Sequence, residues 1–106
     1  MNQKYSWRDC EFDICLQDGL WRATSGLYIF AAPTKDHQST GSWLALYVGQ
    51  TSDFSTRIPN HERWQEALQL GATHVHAREE TASVVLDKME EGLIQIYQPP
   101  MNVQHG

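Results

Sequence analysis

Two short β-prone runs constrain this chain more than anything else in it: Gly26-Leu27-Tyr28-Ile29-Phe30-Ala31 and Trp43-Leu44-Ala45-Leu46-Tyr47-Val48. Branched and aromatic residues crowd both, and such residues suit a pleated, half-buried surface. Residues 33–42 between them are rich in turn formers (Pro33, Asp36, Ser39, Gly41), the composition of a loop. The pattern predicts two antiparallel strands joined by a long loop over 32–43. Side chains alternate along a strand, so Tyr28 is expected to share a face with Phe30, and Tyr47 with Ala45. Whether the two tyrosines share a face depends on register, which composition does not set.

The other elements are read from periodicity. Residues 1–10 are polar and mixed, with the character of a loosely ordered start. Glu11 to Leu16 alternates polar and apolar, as a short strand would, and Asp18-Gly19 signals a turn. Residues 1–18 therefore form an N-terminal extension or short extra strand, and 19–106 the main domain. Within 53–70, Trp64, Ala67 and Leu68 recur at helical spacing, while Pro59 is unsuited to a helix interior. A short turn carrying Arg57, then a helix from about Asn60 ended by Gly71, satisfies both. Thr73 to Arg78 alternates as a third strand, with Val75 and Ala77 inward and His74, His76 and Arg78 on the other side. A last helix over roughly 80–97 stops before Pro99-Pro100. The expected fold is α+β: a small three-stranded antiparallel sheet flanked by helices.

At 106 residues the chain makes one domain with a modest core. No apolar run approaches the roughly 18–20 residues that span a bilayer, and the start lacks a secretory pattern, so a soluble cytoplasmic protein is the default. Cys10 and Cys15 read as reduced thiols, since a lone C-x4-C is poor evidence for zinc. The net charge of −5, from eight Lys plus Arg against thirteen Asp plus Glu, is awkward for a nucleic-acid enzyme: either the few basic residues are concentrated on one face, or binding needs a partner or bridging cation.

The last helix contains an anomaly. Ala82, Val85, Leu86, Met89, Leu93, Ile96 and Tyr97 make one apolar face at about 100° per residue. Glu91 points away from it, but Glu90 lies roughly 70° from its centre, beside Leu86 and Leu93. A carboxylate at the edge of a buried stripe needs a cation or donor to offset desolvation. It is either a flank glutamate that reaches water or an Arg, or a metal ligand.

Gly26-Leu27-Tyr28, Tyr47-Val48-Gly49, then Arg57 and His61, then Glu90 with Leu93-Ile94, Pro99 and Asn102, form an ordered set. This set resembles the GIY-YIG nuclease family over residues 26–102. The chain departs from the family pattern in Leu27 and Val48 for Ile, in the long 32–43 loop and in Pro59 between Arg57 and His61. The resemblance implies a phosphodiester-cleaving endonuclease using one divalent cation, Mg²⁺ or Mn²⁺, held by Glu90, a hard cation suited to carboxylate oxygen. Arg57 would neutralise charge on the phosphoryl group, where a planar fork matches phosphate. The base would be Tyr28 or a hydroxide on the metal. With an ordinary pKa near 10, only about one tyrosine in a thousand is ionised at pH 7, so Tyr28 would need help from Arg57, His61 or the metal. Tyr47 would position the phosphate or water, His61 would assist proton transfer and Asn102 would orient its neighbours.

DNA, in preference to RNA, is the implied substrate, with targeting by a protein partner or self-association. Gly49, Thr51, His74, His76 and Arg78 are candidate substrate contacts. His74 and His76 form an H-x-H without an evident third ligand, which fits a solvent- or substrate-facing role better than metal chelation. Taken singly, the same residues read as strand aromatics, strand-end glycines, surface charges and a turn asparagine. A non-cleaving nucleic-acid-binding or protein-interaction module on the same fold is therefore the alternative.

Overall fold

The computed structural model describes residues 3–102. The strands are β1 (Lys4–Trp7), β2 (Cys10–Cys15), β3 (Gly26–Pro33), β4 (Trp43–Thr51) and β5 (His74–Glu79). The helices are α1 (His37–Thr40), α2 (Phe54–Arg57), α3 (Trp64–Gln69) and α4 (Ser83–Tyr97). His105, expected to be an uninformative tail residue, lies outside the described residues.

The sheet has five strands rather than three, in the order β1-β2-β5-β3-β4, with every neighbouring pair antiparallel. A loose start is expected over residues 1–10, but Lys4–Trp7 and Cys10 within it are strand. Arg8 and Asp9 both have positive φ, 45° and 64°, the geometry of a tight two-residue hairpin turn. Neither is glycine or asparagine, so the turn carried no signal. The resulting hairpin adds to the sheet through Asp13, Ile14 and Cys15, which pair with Ala77, His76 and Val75.

Register decides where the tyrosines go. Tyr28 pairs with Gly49 and Phe30 with Tyr47, so Tyr28, Phe30 and Tyr47 share one face. The register then slips, and Ala31 pairs with Ala45, leaving Leu46 as an extra residue in β4. This bulge overturns the expected sharing of a face by Tyr47 and Ala45. Ala45 packs in the cluster with Leu27, Ile29, Val48, Leu86 and Leu93 under α4, and Tyr47 against Tyr28, Phe30, Ile58 and Trp64 under α2 and α3.

Asp53 caps α2 by accepting from the Ser55 amide at 2.9 Å. Pro59 separates α2 from α3, which begins at Trp64 rather than near Asn60 and gives way at Gly71, whose φ is 107°. α4 begins at Ser83 rather than 80, because the Glu80 carboxylate holds the Thr81 and Ala82 amides at 3.0 Å. Its apolar face is narrower than expected. Leu86 and Leu93 are buried, but Val85 and Ile96 are 39% and 46% exposed because the sheet does not reach under them. No helix among the described residues is long and apolar enough to cross a membrane. Cys10 and Cys15 are unpaired.

Candidate active site

The site is built on β4, which lies at one edge of the sheet. Residues 101 and 102 follow its outer side. The Met101 amide donates to the Leu46 carbonyl at 3.0 Å. Asn102 Oδ1 accepts from the Val48 amide at 2.8 Å, and its Nδ2 donates to the Val48 carbonyl at 2.9 Å. The Asn102 side chain thus acts as a strand partner for one residue and holds the main chain between the two motif residues Tyr47 and Gly49.

The glycines are explained by close approach. A Cβ on Gly49 would lie 2.6 Å from both Cζ and Oη of Tyr28, so the phenol occupies the space a side chain would fill. A Cβ on Gly26 would strike the Arg78 carbonyl oxygen and sit 2.6 Å from the Phe54 ring. Only glycine fits at either position.

Under that notch, Tyr28 Oη and His61 Nε2 are 2.8 Å apart. His61 Nδ1 accepts from the Arg63 amide at 3.1 Å. A neutral ring with Nδ1 accepting carries its proton on Nε2, so His61 donates to the phenol oxygen. Burial, aided by the Arg57 guanidinium, pushes the imidazole down to about 4, which keeps it neutral at pH 7. Burial and then Tyr47 hold the Tyr28 phenol well above its ordinary value, with Arg57 working against them. Tyr28 is 1% exposed and keeps its proton. In this tautomer His61 serves as a donor to Tyr28 and cannot take up its proton.

Tyr47 is half-buried. It packs at a tilt against Tyr28 and edge-on to His61, with ring centres 6.1 and 5.6 Å apart, and the Arg63 guanidinium lies 5.3 Å over its ring. Among the described residues its hydroxyl has no hydrogen-bond partner. Arg57 completes the cluster, but its fork is taken. Nη1 and Nη2 reach Glu62 Oε1 and Oε2 at 2.6 and 3.0 Å. This bidentate clamp pulls the Glu62 carboxyl down to about 2. Glu62 carried no sequence signal as a partner, because Pro59 breaks the helical spacing between it and Arg57.

Glu90 approaches β4 from the opposite face of the sheet, on α4. Its Oε1 accepts from Gln50 Nε2 at 2.9 Å, and the same nitrogen reaches Asp87 Oδ1 at 2.8 Å. No hydrogen bond joins Glu90 directly to Tyr28, Tyr47, Arg57 or His61 among the described residues. The link runs through β4, since Gln50 adjoins Gly49. No group of three or more His, Cys, Asp or Glu that could hold a metal occurs among the described residues. A hard cation such as Mg²⁺ needs only one or two carboxylates beside water and substrate phosphate. Glu90 is half-buried and its Oε2 has no partner among the described residues, so the donor set fits one.

The remaining candidates are placed elsewhere. His76 was expected on an open face and is fully buried, accepting from Trp7 Nε1 at 2.9 Å, because the β1–β2 hairpin covers it. His74 packs edge-on to Trp43, and Arg78 donates to the Glu11 carbonyl at 3.0 Å. Thr51 Oγ1 accepts from the Asp53 amide at 3.0 Å. The 32–43 loop packs His37 against Trp43, which in turn packs edge-on to His76, near β1 and away from Tyr28.

No protein-family model and no curated protein matches the chain. Solved structures do. The N-terminal GIY-YIG endonuclease domain of UvrC from Thermotoga maritima, bound to magnesium as its catalytic divalent cation, superposes with a TM-score of 0.61. Identity is 21%, over 79% of this chain and 89% of that one. Two point mutants of that domain, bound to its catalytic divalent cation, give TM-scores of 0.62 and 0.60 at 20% and 22% identity. Each covers 80% of this chain and 89% of the other. The chain has the GIY-YIG fold. In this chain Tyr28 and Tyr47 stand on adjacent antiparallel strands of that fold, β3 and β4.

Proposed function

We propose that this protein is a divalent-metal-dependent endonuclease that hydrolyses phosphodiester bonds in DNA. The reading is supported by the GIY-YIG fold and by the grouping of Tyr28, Tyr47, Arg57 and His61 on one face of β4, with Asn102 bracing that strand and Glu90 reaching it from the other face through Gln50. We assign the nuclease-like part to residues 19–106 and treat 1–18 as an added hairpin.

Glu90 would hold Mg²⁺ or Mn²⁺ through Oε2. Such an ion, when bound, polarises a scissile phosphate and steadies the leaving oxygen. Arg57 supplies positive charge to the phosphoryl group after exchanging the Glu62 carboxylate for phosphate oxygens. Tyr47, with a free hydroxyl on a half-exposed ring, positions the phosphate or the attacking water. Tyr28 is the poorer base in the free protein because burial holds its proton. Its role is to donate that proton in a hydrogen bond while His61 steadies the oxygen. Asn102 keeps Val48, and with it Tyr47 and Gly49, in place.

Plasmid nicking with Mg²⁺ tests this, with the native chain cleaving and Glu90→Ala reduced by at least 10²-fold. Equal nicking by both would remove the metal role. The second reading is a non-cleaving nucleic-acid-binding or interaction module. The neutralised Arg57 and the 1% exposure of Tyr28 favour it. It predicts DNA or protein binding without any metal-dependent product.

A further inference from the structure

The carboxylate that the proposed mechanism needs is held by a residue outside the expected set. Gln50 Nε2 sits 2.9 Å from Glu90 Oε1 and 2.8 Å from Asp87 Oδ1. A primary amide has two N–H donors, and here both are used. The orientation of the amide follows from its partners, since its oxygen facing two carboxylates would be repelled. Asp87 and Glu90 are three residues apart on α4 and so project from one side of the helix. No salt bridge to either occurs among the described residues, which leaves Gln50 to hold two like charges together.

Gln50 is also well placed to fix the distance between α4 and the phenols. It follows Gly49, the residue against which Tyr28 rests, and Asn102 pins Val48 just before it. The strand on which it stands is therefore fixed at the site. A carboxylate bonded through one oxygen to this amide has its rotation set, and its other oxygen stays free.

We infer that Gln50 is the positioning residue for Glu90, with Asp87 as the second acceptor that locks the amide in its working orientation. The inference rests on the metal role proposed above for Glu90. Gln50 acts through Glu90 rather than on substrate. Groups that orient a metal ligand in this way typically change affinity or activity by 10–100-fold when removed.

The test is a titration of the ¹⁵N-labelled full chain with Mn²⁺, without nucleic acid, following paramagnetic broadening of the Gly49 and Glu90 amides. In the native protein the Gln50 side-chain amide should broaden with them, and Glu90→Gln should abolish the effect. Gln50→Leu should require about 10–100-fold more Mn²⁺ for equal broadening. Gln50→Asn, with its amide one methylene short, should fall between. Asp87→Asn keeps an acceptor for the amide and should shift the titration by only a few-fold. Urea unfolding of each variant separates a folding defect from this effect, and Gln50→Asn stands in should Gln50→Leu not fold. Unchanged Mn²⁺ broadening in both Gln50 variants, with Glu90→Gln deficient, overturns the role of Gln50 and leaves the nuclease reading intact. Identical titrations for native and Glu90→Gln overturn the metal role of Glu90, and the role of Gln50 with it.

Discussion

Gly49→Ala would place a methyl group 2.6 Å from Cζ and Oη of Tyr28 and 3.0 Å from its Cε1. Non-bonded carbons settle at about 3.5–4.0 Å, so the ring has to retreat by roughly 1 Å. It has nowhere to go. Tyr28 is 1% exposed and packed against Phe30, Tyr47 and His61. Overpacking of this kind costs about 1–3 kcal/mol, and losing the buried bond to His61 adds about 1 kcal/mol. Replacing glycine in a strand returns about 0.5–1 kcal/mol. The net expectation is a loss of about 2 kcal/mol, or roughly 10 °C in Tm for a domain of this size. Gly92→Ala is the matched control. Its Cβ would meet nothing within 4 Å, and it lies inside α4. There alanine should stabilise by about 0.5–1 kcal/mol. Equilibrium urea unfolding of both variants decides the matter. A Gly49→Ala chain as stable as the native one, or equal losses in both variants, would refute the close-packing account of the second motif.

Two further outcomes follow from the electrostatics. Glu62→Gln releases the Arg57 fork with little change in stability, as expected of an exposed pair. Duplex affinity should rise by up to about fivefold, and the slope of log K against log salt should steepen by about one, because one more cation engages phosphate; an unaltered slope would show that Arg57 does not reach the substrate. His61 and His76 are held neutral by burial, at about 4 and about 3 in the folded chain against an ordinary 6.5. Their folded values lie below the unfolded one, so stability is complete above pH 6.5 and is lost as pH falls through 4 and on to 3. The loss at the acid end is larger for His76, whose shift is the greater, than for His61. Urea midpoints at pH 7, 5.5 and 4.5 should fall in that order, with a shallower fall in His61→Gln; a flat profile would mean that these rings are solvated.

Much of the site was legible because its signals are local. Each tyrosine sits beside its glycine within three residues, and Glu90 stands out from a helical stripe by angle alone. Residues that act through partners were not legible. Gln50 gains its meaning from Asp87 and Glu90, about 40 positions away, and Glu62 from an arginine across a proline. His76 could not be read as buried for the same reason. The hairpin that covers it turns on Arg8-Asp9, whose left-handed backbone has no compositional mark.

The amino-acid order alone determined an α+β domain, two neighbouring strands that carry the tyrosines, and a C-terminal helix with an acid at its apolar margin. Periodicity of two and of 3.6 is written into the spacing of apolar residues, and glycine and proline mark most of the breaks. Only the tertiary structure decided that Tyr28 and Tyr47 share a face, that a bulge at Leu46 turns Ala45 to the other side, and that β4 forms the edge where Asn102 and Gln50 fasten the site. Register, bulges and long-range hydrogen bonds are set by the packing of both sheet faces at once, and no single stretch of chain encodes them.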